Sequence, residues 1–170
     1  MPAMTDPPSE RTPDAAPALE GAPDAEPEQP ALRLLSPAQA AAELSAAGEA
    51  ARGFLGLDPV TQNAALLGRE LAHRDAVVLR YGETLLGCAV NPEQPRQAEV
   101  AVTAADAPAL GALLEFLRTY QRCSSFVSLV PDGRDTSAFE AHGFRTVGTL
   151  RGHRFAQGRY HDVRVLAWTA

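Results

Sequence analysis

The sequence predicts one mixed α/β domain, in which a partly parallel central sheet carries helices on both faces. Two observations favour this class. Short β-rich runs alternate along residues 31–170 with stretches of helical periodicity, and the period of the hydrophobic pattern indicates the type of element. Two of the helices each lie between two strands, an arrangement typical of parallel neighbours, whereas short turns elsewhere predict antiparallel pairs.

Residues 1–30 differ in composition from the rest of the chain. They hold seven acids, one base and eight of the fourteen prolines, but no aromatic residue. Such a segment buries too little apolar surface to offset the entropy that is lost on ordering. We therefore expect a disordered acidic tail at 1–30, followed by one domain at 31–170 in which 14 acids balance 14 bases.

The composition also argues against several functional classes. No apolar stretch reaches the roughly 18–20 residues of a membrane span, and the N-terminus lacks the pattern of a secretory signal. The neutral domain lacks the positive charge of a duplex-DNA binder, so no nucleic-acid partner is expected. Two cysteines, Cys88 and Cys123, form neither a disulfide framework nor a zinc site. We expect a cytoplasmic protein.

All fifteen basic residues are arginines, and the chain contains neither lysine nor isoleucine. Because lysine and isoleucine codons are AT-rich, this usage favours a GC-rich bacterial genome. It also excludes a lysine nucleophile or Schiff base from the chemistry of this chain.

The first half of the domain is predicted to contain one strand, two helices and a hairpin. Ser36-Pro37 and Gln39 form a capping-box pattern at the start of the first helix. Asp58-Pro59 repeats the cap-and-proline signal before the second helix. A two-residue Gly-Glu turn joins the hairpin strands. The predicted ranges are strand 31–35, helix 37–51, helix 59–74, strands 76–81 and 84–90, and a loop at 91–96.

The second half is predicted to alternate strands with helices. Apolar residues at 98, 100 and 102 alternate as in a strand. Asp106 and Pro108 start a helix whose leucines at 110, 113, 114 and 117 form an apolar stripe, which Tyr120 extends. A Pro-Asp-Gly turn and Gly143 end the next two elements. The predicted ranges are strand 126–130, helix 136–142, and strands 146–150 and 160–168 with a linker rich in glycine and arginine between them.

The resulting order, β-α-α-β-β-β-α-β-α-β-β, resembles the fold of the GCN5-related N-acetyltransferase (GNAT) family over residues 31–170. The segment SLVPDGRDTSAFEAHGFRTVGTL is similar to the family's strand, short helix, Gly-Phe pair and next strand. GRYHDVRVLAW is similar to the last strand of the family, and LRLLSPAQAAAEL to its first strand and helix.

The resemblance implies a site for acetyl-CoA or another acyl-CoA. In the family, the central strand parts from its parallel neighbour, and its exposed main chain binds the pantetheine arm of the cofactor. The following loop and helix N-terminus bind the pyrophosphate through N–H groups. Carried over to this sequence, the cofactor contacts are Val100, Ala101, Val102, Ala107, Ala109, Leu110, Gly111, Asp132 and Phe139.

The sequence departs from the family pattern in the pyrophosphate loop and at two further positions. The loop pattern (Gln/Arg)-x-x-Gly-x-(Gly/Ala) falls on Ala105, Pro108 and Leu110, so the loop lacks its glycines, and Pro108 lacks an N–H donor. The pyrophosphate-binding loop is therefore degenerate. Phe139 stands where many members carry a tyrosine that protonates the departing thiolate. Asp132 matches an asparagine that supports the cofactor amide.

The resemblance also implies catalytic and substrate-binding residues. Glu99 matches the region from which some members draw a general base. Tyr160 and Asp162 match positions that line the acceptor pocket, and Tyr160 or His142 could replace the missing proton donor. The alternative interpretation makes Glu99 a solvated strand residue, and Tyr160 and Asp162 members of cross-strand pairs.

Five arginines against one acid give residues 141–170 a positive charge; the arginines are Arg145, Arg151, Arg154, Arg159 and Arg164. This region could attract a CoA phosphate, an acidic substrate, RNA or the acidic tail of the chain itself. Two further pairs of potentially reactive side chains lack the sequence pattern of a functional site. His153 and His161 lack a third ligand, so no metal site is expected. Ser124-Ser125 lacks the glycine-flanked elbow of a serine hydrolase.

Two functions remain open at this point. The first is an acyl-CoA-dependent N-acyltransferase that acts on a small amine by direct transfer. The second is a non-catalytic GNAT-fold module that binds a ligand or a protein partner, or pairs with a second copy as a homodimer. Fold alone does not decide between them.

Overall fold

The computed structural model describes residues 30–169, so the predicted acidic tail, apart from Pro30, lies outside the described residues. The strands are β1 (Arg33–Leu35), β2 (Val77–Tyr81), β3 (Thr84–Asn91), β4 (Gln94–Val102), β5 (Ser125–Pro131), β6 (Arg145–Ala156) and β7 (Arg159–Thr169). The α-helices are α1 (Pro37–Ala47), α2 (Ala64–His73), α3 (Ala107–Tyr120) and α4 (Ser137–Ala141). This order of strands and α-helices is the predicted one.

The seven strands form one mixed sheet in the order β1-β2-β3-β4-β5-β7-β6. Among the strands that the structure describes, only the β4–β5 pair is parallel. The second expected crossover does not produce a parallel pair, because β7 lies between β5 and β6 and pairs antiparallel with both. The predicted fold class, a partly parallel α/β sheet, is confirmed.

Helices cover both faces of the sheet, as predicted. On one face, the leucine stripe of α3 is buried against β3, β4 and β5, together with α4. On the other face, α1 and α2 bury Leu44, Leu67 and Leu71. Tyr120, predicted to extend the α3 stripe, is instead 73% exposed. Among residues 30–169, no helix is long and apolar enough to cross a membrane.

The connection between α1 and α2 differs from the prediction. The predicted capping box of α1 forms, but α1 ends at Ala47, and two 3-10 turns follow at Gly48–Ala51 and Phe54–Gly56. Helix α2 begins at Ala64, with Asn63 rather than Asp58 as its cap. The Asp58 carboxylate instead lies between two arginines, which no local pattern could indicate. Val60, predicted on the apolar face, is exposed.

Two predicted loops are strand. Residues 94–96 belong to β4, and the turn consists of Pro92 and Glu93. The linker predicted after residue 150 is mostly strand as well, because β6 continues to Ala156 and only Gln157 and Gly158 form the turn. Both segments are largely exposed. They therefore lack the alternation of apolar and polar residues by which a half-buried strand is recognised.

Candidate functional site

Strands β4 and β5 pair at their beginnings and then separate. Within the described residues, their pairing covers three positions and ends at Glu99 and Val127. Beyond this point β4 continues to Val102 and β5 to Pro131. The gap between these two strand ends is here called the wedge. A split of this kind is what the family resemblance implies.

Main-chain groups of both strands point into the wedge. Thr103 donates its N–H to the Leu85 carbonyl on the β3 side, at 3.0 Å. Since main-chain groups alternate in direction along a strand, the N–H and C=O of Val102 point towards β5. On β5, the N–H of Asp132 donates to the main-chain carbonyl of Asp162 on β7. By the same alternation, the N–H and C=O of Leu129, three residues earlier, point away from β7 and towards β4. The wedge can therefore pair with an extended chain.

The segment between α1 and α2 covers the wedge. Arg52 and Phe54, together with Phe139 of α4, line a small cavity there of about 90 Å³. Gly53 allows the close approach, because a Cβ at this position would lie 2.6 Å from Pro131 Cγ, and its φ of +88° favours glycine. The wedge thus has room for a narrow chain only.

The N-terminus of α3 is already occupied by a carboxylate. Asp106 caps the helix, and its Oδ1 accepts the N–H of Ala109 at 2.9 Å. Its Oδ2 accepts the Thr84 hydroxyl at 3.0 Å, and its main-chain oxygen accepts the N–H of Leu110. Two of the N–H groups that the resemblance assigns to a pyrophosphate are therefore used within the protein. An anion at this helix end would also meet the negative charge of Asp106.

Gly111 and Ala107 contact His142 of the α4 end. A Cβ on Gly111 would lie 2.9 Å from His142 Cε1, and His142 Nε2 lies 2.7 Å from the Ala107 carbonyl oxygen. The absence of a side chain at Gly111 therefore allows α3 to approach α4. His142 is fixed against α3 by the same contact.

Glu99 lies at the point where β4 and β5 separate. Its half-buried side chain lines a groove of about 650 Å³ with His73, Arg74 and Leu129. Leu129 also lines the wedge cavity, so the groove and the wedge adjoin. Burial raises the pKa of the Glu99 carboxyl above its usual range, and Arg74 offsets part of this effect. A carboxylate with a raised pKa beside a cleft is suited to accept a proton.

The other cofactor-binding residues that the resemblance assigns lie in different surroundings. Val100 is buried in the core beside α3, so only its main chain can reach the wedge, whereas Ala101 and Val102 line the wedge cavity. Phe139 is buried against Phe144 and lines the cavity without a hydroxyl group. The mostly exposed carboxylate of Asp132 lies 4.0 Å from Arg164.

Tyr160 and Asp162 lie on the β6–β7 hairpin. Tyr160 is 72% exposed and pairs across the strands with Phe155, with ring centroids 5.1 Å apart. The Asp162 carboxylate accepts the N–H of Gly152 at 2.8 Å. Neither residue lines the wedge cavity or the Glu99 groove. The structure therefore brings Glu99 and the end of β4 together, and holds these two residues elsewhere.

Both cysteines are buried thiols. Burial raises the pKa of Cys88 to about 12, and burial also raises the pKa of Cys123. A thiol with a raised pKa is a poor nucleophile at neutral pH. In the described part of the chain, no three His, Cys, Asp or Glu side chains converge as metal ligands.

Local sequence patterns do not indicate the arginines on the approach to the wedge. Arg52 and Arg134 line the wedge cavity, and Arg154 reaches the α1–α2 segment by donating to the Leu57 carbonyl at 2.6 Å. These residues come from three separate segments, and no spacing in the sequence connects them. The positive charge of residues 141–170 was the only available signal, and it pointed to Arg154 alone of the three.

Comparison with known proteins supports the fold. No protein-family model matches the sequence, and no curated protein matches it significantly in sequence. Among solved structures, the chain is similar to the spermidine N-acetyltransferase of Vibrio cholerae in complex with CoA and spermine. The TM-score is 0.63 at 16% identity, over 83% of this chain and 95% of that one.

A second similar structure is that of a protein assigned as a phosphinothricin N-acetyltransferase. The TM-score is 0.61 at 17% identity, and the match covers 82% of this chain and 97% of the other. Identities this low establish a common fold and leave the activity open. The chain described here has the fold of the GCN5-related N-acetyltransferases.

Proposed function

We propose that this chain transfers an acyl group from an acyl-CoA, with acetyl-CoA as the expected donor, to a small amine. The observation that carries this proposal is the open wedge between β4 and β5, directly beside Glu99. The Vibrio cholerae neighbour, whose structure contains CoA and spermine, supports it. A cytoplasmic location and a homodimer remain predictions.

The residues present fit one part of a CoA molecule and not the other. The unpaired main chain of Val102 and Leu129 fits a narrow pantetheine arm, which would add hydrogen bonds between the two strands. The first turn of α3 does not fit a pyrophosphate, because the Asp106 carboxylate already accepts the N–H of Ala109. We therefore assign no role in phosphate binding to this turn while the negative charge of Asp106 lies there.

An acyl-CoA supplies a thioester carbonyl that an amine can attack. Glu99 would take the proton that the attacking amine releases, directly or through a water molecule. Main-chain groups at Val100–Val102 would orient and polarise the carbonyl. Because Phe139 has no proton to give, the thiolate would take one from solvent. The roles of Tyr160 as an alternative proton donor and of Asp162 as a contact to the amine acceptor stay predictions.

A second candidate function is a non-catalytic module that binds a ligand or a partner through the wedge. Two observations favour it: the Asp106 carboxylate at the α3 N-terminus, and Phe139 at the position of the proton donor. Titration of the protein with CoA tests the transferase, because absence of binding would exclude it, and acetyl transfer from acetyl-CoA then separates it from a module that binds CoA without reaction. A ligand at 100 times its dissociation constant stabilises the folded state by about 2.7 kcal/mol.

Replacing Asp106 with asparagine is expected to strengthen CoA binding about threefold or more. Asparagine is an equally good cap, and its amide can still hydrogen-bond the Thr84 hydroxyl, while the negative charge at the helix N-terminus is lost. Calorimetric titration with CoA measures the affinity, with Glu115→Gln, an exposed α3 residue, as the control. If neither wild type nor D106N binds CoA at millimolar concentration, the transferase proposal fails and the non-catalytic module is the candidate function that remains.

Replacing Phe139 with tyrosine is expected to raise the rate of acyl transfer about tenfold, because a hydroxyl in the wedge could protonate the thiolate. The cavity beside Phe139 provides space for the added oxygen. Steady-state rates with acetyl-CoA measure the effect. Phe144→Tyr is the matched control, because this buried ring packs on Phe139 outside the wedge. An equal rate in F139Y and wild type would show that thiolate protonation does not limit turnover.

A further inference from the structure

A second cavity adjoins the wedge and is lined by basic side chains. It lies between the Gly48–Ala51 turn, the end of β5 and the β6–β7 hairpin, and its volume is about 370 Å³. Its basic lining residues are Arg52, Arg134, Arg154 and His161, and the carboxylates of Glu49 and Asp132 also line it. We call it the arginine cavity. It shares Ala50, Arg52, Pro131 and Arg134 with the wedge cavity.

Two of the three arginines of this cavity have carboxylate partners, and the third has none among the described residues. Arg52 and Arg154 share Asp58, whose oxygens lie 3.8 Å and 3.7 Å from them. Glu49 also pairs with Arg52, through a largely exposed carboxylate. In the described part of the chain, no carboxylate lies within ion-pair distance of Arg134.

Burial makes the charges of the two paired arginines costly as well. The side chains of Arg52 and Arg154 are 13% and 14% exposed, and the Nε atom of each is buried without a hydrogen-bond partner in the structure. Buried charges are normally paired and hydrogen-bonded, because their desolvation is otherwise uncompensated. Burial also lowers the pKa of Arg154, and Asp58 offsets only part of this effect. An anion bound in the cavity would pair with Arg134 and would attract the buried charges of Arg52 and Arg154.

Two of these arginines also tie the α1–α2 segment to the rest of the protein. Arg134 donates to the carbonyls of Glu49 and Arg52, and Arg154 donates to the Leu57 carbonyl. All three bonds use Nη2 atoms, and within the described residues the Nη1 groups of both guanidiniums form no hydrogen bond, whereas the Nε atom of Arg154 is buried. Guanidinium groups bind carboxylates and phosphates in a bidentate manner.

We propose that the arginine cavity binds an anionic group, a carboxylate or a phosphate, of the acyl acceptor. This inference rests on the proposed function. We assign the anion to the acceptor rather than to the donor, because only Asp132 of the residues that the resemblance assigns to the donor lines the cavity, and no lining residue lies on β4 or α3. The acceptor is then an amine that carries a negative charge, such as an amino acid or an amino phosphate.

Matched pairs of acceptors test this proposal. Acetyl transfer from acetyl-CoA is measured with L-methionine against L-methioninamide, and with phosphoethanolamine against ethanolamine. The anionic member of at least one pair is expected to have a kcat/KM at least tenfold higher. A preference for L-methionine over its amide identifies the bound anion as a carboxylate. A preference for phosphoethanolamine over ethanolamine identifies it as a phosphate. Equal use of both members in both pairs would overturn the proposal.

Substitution of Arg134 connects the preference to the cavity. Arg134→Gln is expected to reduce the ratio of kcat/KM between the anionic and neutral acceptor at least tenfold. Arg134→Lys keeps the charge without the bidentate geometry and should reduce the ratio less. Arg151→Gln, at an exposed position on β6, is the charge-matched control and should keep the ratio. A ratio in R134Q equal to that of wild type would refute the assignment.

Binding measurements separate failure of this inference from failure of the proposed function. L-methionine, phosphoethanolamine and CoA are titrated calorimetrically against the folded wild type and R134Q. In one outcome, CoA does not bind, an anionic amine binds to wild type, and R134Q binds that amine at least tenfold more weakly. The cavity assignment then stands and the transferase proposal fails. If CoA binds and supports turnover while no anionic amine is preferred, only the cavity assignment fails. If neither class of ligand binds, both are wrong.

Discussion

Replacing Glu99 with glutamine is expected to lower the rate of acyl transfer about 100-fold while leaving the affinity for CoA nearly unchanged. Positioned general bases typically contribute factors of about 10²–10⁴, and glutamine keeps the shape of the side chain without its basicity. The rate is measured with acetyl-CoA and the best acceptor, and the affinity by calorimetry. Glu93→Gln, an exposed residue in the β3–β4 turn, is the matched control. A rate in E99Q equal to that of wild type would exclude Glu99 as the base.

The pH dependence gives the same variant a second readout. Because burial raises the pKa of Glu99 above its usual value of 4.5, the wild-type rate should increase with pH as this carboxyl loses its proton. The same shift affects stability with a defined sign. A carboxyl whose pKa is raised by folding stabilises the fold at pH values below its unfolded pKa, and this contribution is lost as the pH rises through the folded pKa.

E99Q should therefore unfold at a higher temperature than wild type at pH 8, with the difference vanishing below about pH 4, where Glu99 is protonated in both states. Thermal unfolding at both pH values measures this. A variant that is slower and yet more stable at pH 8 is expected of a functional group held in an unfavourable environment. Lower stability of E99Q at pH 8 would contradict the burial of this carboxylate.

The order of elements could be predicted from local signals. The α1 capping box forms between Ser36 and Gln39 as expected, and Gly82-Glu83 is the hairpin turn between β2 and β3. The α3 leucine stripe is fully buried. In each case the residues that determine the structure lie within a few positions of one another, and their local preference agrees with the tertiary structure.

The predictions from sequence were wrong where contacts between residues far apart in the sequence determine the structure. Asp58 and Asn63 are both good helix caps, and Asp58 lies instead within ion-pair distance of Arg52 and Arg154, which is 96 positions away. The order of β6 and β7 in the sheet also depends on long-range pairing. The sequence did indicate that Asp106 starts a helix, but not that its carboxylate would occupy the position of a bound anion. The arginine cavity joins three segments and had no local signature.

Replacing Phe54 with alanine is expected to lower the free energy of unfolding by about 3–5 kcal/mol, the usual cost of deleting a buried phenylalanine side chain. Phe54 is 3% exposed, and its neighbours Leu55 and Leu57 are also buried. Leu55 adopts a φ of +46°, a conformation that is unfavourable for leucine and is held by this packing. Urea denaturation measures the change as a lower midpoint at an unchanged slope. A loss below about 1 kcal/mol would contradict the packing of Phe54.

Gly87 on β3 shows how closely the Phe54 ring approaches the sheet. A Cβ at Gly87 would lie 2.5 Å from two atoms of this ring, so Gly87→Ala should cost about 1–3 kcal/mol through overpacking. In the Phe54→Ala background the ring is absent, and the same substitution should cost much less. A double-mutant cycle should therefore give a coupling energy above about 0.5 kcal/mol, whereas additive costs would refute the contact. Because Phe54 also lines the wedge cavity, G87A should change CoA affinity in the wild-type background but not in F54A.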